Sequence, residues 1–284
     1  VQACRVQGGS TPKLFSGRGV FVFCVGNPLI SAGTKRWKTS QPQKQTIKAE
    51  SDTVEYANIN SLQTDDFSTY TPRGPRVFKA TFSMEEHVQA AWRHWEALGN
   101  PRWIMAPMVD QSELAFRMMG RKYNCDLCYT PMLHSRMFVT NRQYRKDYLQ
   151  TLEKDRPLVV QFCANNPNTL LEAAKYVEDV CDAVDLNLGC PQEIARRGKY
   201  GSFLMEEWDR IHDLILTLKQ NLKVPVWAKI RLFPEISRTV EYAKMIEAAG
   251  ASAIAIHGRT RKQKGNNPGP ADLDAIREVA RELR

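Results

Sequence analysis

No segment of this chain is long and apolar enough to cross a bilayer as a helix. The run Val20 to Val25 ends at Gly26, Asn27 and Pro28, far short of the roughly 18–20 apolar residues that a span needs. Cysteine is sparse, and its odd count of seven has no disulfide-framework spacing, which predicts reduced thiols and an intracellular setting, in cytoplasm or nucleus. Metal-ligand spacing is nearly absent. Cys125-Asp126-Leu127-Cys128 is a lone CxxC without a second pair, so packing is expected for Cys128 and no metal site. Acidic residues are missing from positions 1–49, which hold eight Lys/Arg. Such a basic, Ser/Thr-rich stretch fits an organelle transit peptide, for plastid or mitochondrion, and equally a disordered tail or translated non-coding sequence. No Gly-rich phosphate loop follows the first strand candidate, which argues against a dinucleotide-binding doubly wound fold.

What is present points to one large domain. The chain has 284 residues, 43% of them hydrophobic, enough for a substantial core. Its net charge of +9 belongs mostly to the tail: residues 50–100 carry four basic against eight acidic groups, and residues 101–284 carry 28 against 23. A pI near 9.2 is therefore a weak argument for nucleic-acid binding by the domain. Residues 1–81 read as basic tail and linker, and residues 82–100 as an N-terminal helix. Met84, Val88, Ala91, Trp92, Trp95 and Leu98 recur at helical spacing as a packing face, and Gly99-Asn100-Pro101 ends the helix.

From Pro101 short apolar runs alternate with amphipathic stretches. The strand candidates are Trp103–Met108, Leu127–Met132, Leu158–Cys163, Ala183–Cys190, Val224–Leu232 and Ala253–Gly258. Helices are expected at Ser112–Arg121, Asn168–Cys181, Glu206–Asn221, Ser237–Ala249 and Ala271–Leu283. Six βα units in series predict an α/β fold with a parallel sheet. Alternation puts Val159, Gln161 and Cys163 on one strand face, Asp185 and Asn187 on the next, then Trp227, Lys229 and Arg231, then Ala253, Ala255 and His257. Polar groups at the carboxyl ends of several strands describe a barrel mouth, which favours a TIM (β/α)8-type barrel over an open sheet. Such a barrel has eight units, and residues 101–284 supply six, so the chain reads as C-terminally truncated, with two open strand edges.

Five motifs carry a resemblance: Ala106-Pro107-Met108-Val109-Asp110, Val160-Gln161-Phe162, Asn187-Leu188-Gly189-Cys190-Pro191, Ala228-Lys229-Ile230-Arg231 and His257-Gly258-Arg259-Thr260. In this order at strand ends they resemble the tRNA-dihydrouridine synthases, FMN enzymes built on a TIM barrel. Cys128-Tyr129-Thr130-Pro131-Met132-Leu133-His134 and Gly201-Ser202-Phe203-Leu204 are most similar to the eukaryotic branch acting on positions 16 and 17 of the tRNA D-loop. The resemblance implies NADPH-dependent (or NADH-dependent) reduction of uridine to 5,6-dihydrouridine through FMN, with tRNA as partner and the chain a monomer away from membranes.

It further implies that Cys190 protonates C5. An unperturbed thiol, with a pKa near 8.5, keeps its proton at neutral pH and suits that role. By the same resemblance Pro107, Met108, Val109, Gln161, Lys229 and His257 contact the flavin, an ammonium at Lys229 stabilising negative charge on the reduced ring. Asn187 is placed to hydrogen-bond the uracil, and Arg231 and Arg259 to hold RNA or flavin phosphate. The family's flavin phosphate is bound after strands seven and eight, so weak FMN binding by this form is expected. Two basic runs, Arg196-Arg197-Gly198-Lys199 and Arg259-Thr260-Arg261-Lys262-Gln263-Lys264, are expected on the active-site rim, where they suit an RNA-phosphate track. Tyr200 and Phe203 either stack on bases or pack. Two other readings stay open: a flavin barrel acting on a free pyrimidine, as dihydroorotate and dihydropyrimidine dehydrogenases do, and a non-catalytic truncated product.

Overall fold

The computed structural model describes residues 21–25, 78–265 and 267–284. The predicted tail and linker, residues 1–81, fall largely outside the described residues, as do the readings placed on residues 1–49, apart from the backbone of one strand, β1 (Phe21–Val25). In chain order there follow α1 (Met84–Ala97), β2 (Ile104–Met105), α2 (Leu114–Lys122), β3 (Leu127–Tyr129), β4 (Leu133–His134), α3 (Ser135–Thr140), α4 (Arg142–Tyr148), β5 (Leu158–Cys163) and α5 (Pro167–Lys175). The chain continues through β6 (Ala183–Leu188), α6 (Glu193–Arg197), a 3-10 turn (Gly201–Leu204), α7 (Trp208–Asn221), β7 (Val226–Leu232), α8 (Ile236–Ala249), β8 (Ala253–Thr260) and α9 (Leu273–Glu282). The strands form one sheet in the order β1-β8-β7-β6-β5-β3-β2, with β4 also paired to β5. Every described ladder is parallel.

The sheet is curled. Tyr129 on β3 and Trp227 on β7 are three strand spacings apart, about 14 Å in a flat sheet, yet their ring centroids lie 6.3 Å apart. Leu127, Tyr129, Val159, Ala183, Trp227 and Ala253, from five strands, form one buried inner cluster. The opposite residues of the same strands, among them Val160, Phe162, Val184, Leu186, Ala228, Ile230 and Ile254, belong to a larger outer cluster under the helices. The fold is thus a TIM-type half-barrel, wound as alternation predicts.

The structure departs from the sequence reading at several ends. The first strand pairs only at Ile104–Met105, because Pro107 has no N–H to give a ladder. The second breaks at Thr130-Pro131-Met132 and resumes as β4 against Phe162 and Cys163. Helix α5 ends at Lys175, six residues early; beyond it Tyr176, Val177 and Val180 donate to carbonyls three residues back, a tightened turn rather than α-helix.

Helix α1 closes the amino-terminal end of the sheet. Ser83 caps it by accepting from the Glu86 N–H, and its apolar stripe turns inward with Ala91 and Trp95 buried. The Trp95 ring sits 6.0 Å from that of Trp227, so one helix plugs the inner apolar layer. Trp95 is 3% exposed, and Trp95→Ala is expected to cost about 3–5 kcal/mol. Urea unfolding of the two proteins checks this; a loss below about 1 kcal/mol would mean that α1 is not the plug.

Candidate active site

Above the apolar layer the inner face turns polar. Parallel register sets Gln161 beside Asp185, Asn187 beside Lys229 and Arg231 beside His257. The structure therefore brings Gln161, Asn187, Lys229, Arg231 and His257 to the carboxyl-terminal half of one curled face, next to the Cys190 loop. Pro107, Met108 and Val109 lie in the loop after β2, and Val109 is exposed. Ser112 fixes that loop: its hydroxyl accepts from the Met108 N–H at 2.9 Å and donates to the Met108 carbonyl at 3.0 Å. Beneath it, Arg117 and Asp155 form a fully buried pair at 2.7 Å, and Arg117 also donates to the Ser112 carbonyl.

The Cys190 loop is held from both sides. Asn187 Oδ1 accepts from the Gly189 N–H at 3.1 Å and the Cys190 N–H at 2.9 Å. The Cys190 carbonyl accepts from the Ser202 N–H at 3.0 Å and the Ser202 hydroxyl at 2.9 Å. Gly201 makes that second clamp feasible: its φ is +64°, and a Cβ there would lie 2.8 Å from the Cys190 carbonyl oxygen. Burial pushes the thiol pKa up, against smaller downward pulls from the Gln192 backbone, Arg231 and Lys229. Cys190 therefore keeps its proton at neutral pH, as a general acid requires.

The charges are arranged with one sign in excess. Burial lowers Lys229 to about 8, with Asp185 pulling it back up. Burial raises Asp185 to about 7, against the Gln161 hydrogen bond and the Lys229 charge. Burial, then the charges of Lys229, Arg231 and Arg259, holds His257 down at about 3. The Arg259 Nη1 donates to His257 Nε2 at 2.9 Å, so the imidazole is neutral with its proton on Nδ1. The mouth thus holds a lysine, two arginines and a neutral donor against a single buried carboxylate, on which Lys229 acts. That donor set fits a planar, electron-rich group that becomes anionic, such as a reduced flavin ring.

Three predicted contacts are spent internally. Gln161 is fully buried, donating to Asp185 Oδ2 and accepting from Asn187 Nδ2, both at 2.8 Å. Arg231 donates to the carbonyls of Gly189 at 2.7 Å and of Thr260 and Gln263 at 3.1 Å. Arg259 donates to the Gly269 carbonyl through Nε and Nη2. Both arginines thus brace loops of the mouth. Sequence reading assigned no role to Asp185, Ser112, Gly201 or Ser202. Inward parity was a usable signal for Asp185, and the Gly201-Ser202-Phe203-Leu204 motif marked Gly201 and Ser202 without giving them a role.

The rim follows the basic runs. Arg196 and Arg197 lie on α6, 2.7 and 3.7 Å from Glu193. Arg261 donates to the Ser202 carbonyl and lies over the Phe203 ring, and Lys264 donates to the Pro191 carbonyl at 3.2 Å. Tyr200 is buried, edge-on to His134 at 5.3 Å, which makes it a packing residue. The Cys125 and Cys128 sulfurs are 3.8 Å apart, and Cys128 is fully buried. Among the described residues no group of three or more His, Cys, Asp or Glu is placed to hold a metal ion, and no helix is long and apolar enough to cross a membrane.

Fold and site together define a TIM-barrel-type α/β protein with a protonated thiol, a lysine and a neutral histidine at its mouth. Residues 104–284 match the family described as Dihydrouridine synthase (Dus); the chain belongs to that family. It is 58% identical over 186 residues to the tRNA-dihydrouridine(16/17) synthase (NAD(P)(+)) of Saccharomyces cerevisiae, covering 64% of this chain and 44% of the yeast protein. It is 54% identical over 185 residues to the corresponding synthase-like protein of Rattus norvegicus, covering 64% and 42%. With the synthase of the same name from Schizosaccharomyces pombe it shares 50% over 191 residues, covering 66% and 48%. The chain spans less than half the length of these relatives.

Two outcomes follow from the geometry. Gly201→Ala is expected to destabilise the chain by about 1–2 kcal/mol from the left-handed backbone alone and to speed Cys190 alkylation by breaking the Ser202 clamp. Thermal melts and peptide mapping after iodoacetamide read both, and an unchanged alkylation rate would refute the clamp. His257 has a depressed pKa, so its contribution to stability is complete above pH 6.5 and is lost as pH falls toward about 3. Asp185, raised, titrates with the opposite sign between 3.8 and about 7. Melts of wild type and His257→Gln at each pH separate them: the variant should lose less stability on acidification, and parallel curves would contradict the assignment.

Proposed function

We propose that this chain carries the thiol and ring-binding half of an enzyme that reduces uridine to 5,6-dihydrouridine in tRNA, at positions 16 and 17 of the D-loop. The observation that carries the reading is Cys190: a thiol kept protonated by burial, on a loop clamped by Asn187 and Ser202. The family match and the names of the relatives support the substrate, and those names also support NADPH or NADH as reductant. FMN, when bound, would supply the hydride for uracil C6. Lys229 and His257 would hold its ring, the ammonium offsetting negative charge and the His257 Nδ1–H donating. Pro107, Met108 and Val109, on a partly exposed loop, would help to hold the ring. The Cys190 Sγ–H gives its proton to C5, and the resulting thiolate is stabilised by Arg231 and Lys229. Asn187 spends its oxygen on the loop and its nitrogen on Gln161, so its contact with uracil is through the remaining Nδ2–H. The rim of Arg261, Lys262 and Lys264 attracts the RNA backbone, with an affinity that falls as salt rises.

The test supplies the chain with excess FMN, NADPH and unmodified tRNA and maps dihydrouridine by mass spectrometry. Reduction at positions 16 and 17 is expected, and Cys190→Ala should lower its rate by about 10²–10⁴-fold. Reduction of free uracil in place of tRNA would favour the free-pyrimidine reading. A Cys190→Ala rate equal to wild type would remove the thiol from the reaction.

A further inference from the structure

Asp185 belongs to the polar ladder and, like its partner Gln161, has no direct role in the reaction just described. It is fully buried, and an uncompensated carboxylate in such a place is costly. Its Oδ2 accepts from Gln161 Nε2 at 2.8 Å, and the Tyr129 hydroxyl stands beside it. Lys229 acts on it through space rather than as a contact ion pair. Gln161 Oε1 in turn accepts from Asn187 Nδ2 at 2.8 Å, and Asn187 Oδ1 accepts from the Gly189 and Cys190 N–H groups. The two ends of this chain admit one polarity only. Backbone N–H groups can only donate, which turns the Asn187 oxygen toward the loop and its nitrogen toward Gln161. An acceptor at residue 185 turns the Gln161 nitrogen down and its oxygen up. Both amides are therefore locked from opposite ends, and a flip of either would oppose donor to donor in a dry interior.

We propose that Asp185 is the anchor of a hydrogen-bond relay, Asp185–Gln161–Asn187, that positions the Cys190 loop from the floor of the mouth, and that it acts as a hydrogen-bond acceptor rather than as a charge. This rests on the proposed reduction only in naming Cys190 as the reacting thiol. Asp185 touches neither substrate nor flavin in it; it is a positioning residue. Without the acceptor the buried Gln161 Nε2 loses its partner, the amide rotates to find another, and Asn187 loses the link that steadies it. The Cys190 loop then opens to water, and the thiol reacts faster.

The experiment reads the Cys190 thiol itself and needs neither flavin nor tRNA, so failed tRNA reduction leaves it intact. Iodoacetamide labelling of the full chain is followed by peptide mass spectrometry across pH. Asp185→Val, which removes the acceptor, is expected to speed Cys190 labelling about tenfold at neutral pH, roughly the effect of one lost hydrogen bond. Asp185→Asn, which keeps an oxygen for Gln161 but no charge, should stay within about twofold of wild type. Gln161→Met, which cuts the relay in its middle, should behave as Asp185→Val does and covers the case in which that variant does not fold; near-UV circular dichroism identifies that case. Wild-type labelling rates in Gln161→Met, or in a folded Asp185→Val, would overturn the relay. Labelling of Asp185→Asn as fast as that of Asp185→Val or Gln161→Met would overturn the acceptor role and leave Asp185 as a charge partner of Lys229.

Discussion

A parallel strand buried on both faces sends alternate side chains into two unlike environments, and this alternation governs what the molecule can hold and where. One parity packs under the helices and is wholly apolar in β6, where Val184, Leu186 and Leu188 are all buried. The other points into the curl, apolar at the floor and polar toward the carboxyl ends. At the floor Trp227, Tyr129 and Trp95 fill it. One step up, parallel register sets Gln161 beside Asp185, to which it donates, and Asn187 beside Lys229.

The same geometry sets the chemistry of the mouth. Burial alone would neutralise Lys229 and protonate Asp185, as the directions of both pKa shifts show. Their mutual attraction opposes both changes. His257, surrounded by three cations, responds by staying neutral, which gives the mouth a hydrogen-bond donor without a further charge. Arg231 and Arg259 supply positive potential while their guanidinium groups hold loops. The arginines are thus fixed field sources, and no mobile side chain has to be ordered when an anionic group arrives.

The order of elements, the parallel α/β class and the inward parity of each strand were legible in the sequence, because period-2 alternation and period-3.6 amphipathicity are local properties. Leu158–Cys163 is a strand of the expected length, and the α1 stripe is a packing face as its spacing implies. The sequence reading overran where hydrogen-bond partners decide: at Pro107, at the Thr130-Pro131-Met132 break and at the last turn of α5. Apolar character continues through these residues while ladder or helix bonds do not.

The sequence by itself determined which residues share the mouth, since alternation along a strand needs no partner to be read. It determined Cys190 as the reacting thiol candidate through its motif at a strand end. Only the tertiary structure decided how the mouth residues spend their hydrogen bonds. Gln161 lies between Asp185 and Asn187, 24 and 26 positions away along the chain, and Arg231 bonds Gly189, 42 positions away. Those pairings exist because the sheet curls and its register sets them within 3 Å. Desolvation, which moves Asp185, Lys229, Cys190 and His257 from their ordinary pKa values, depends likewise on what the packed chain places around each group.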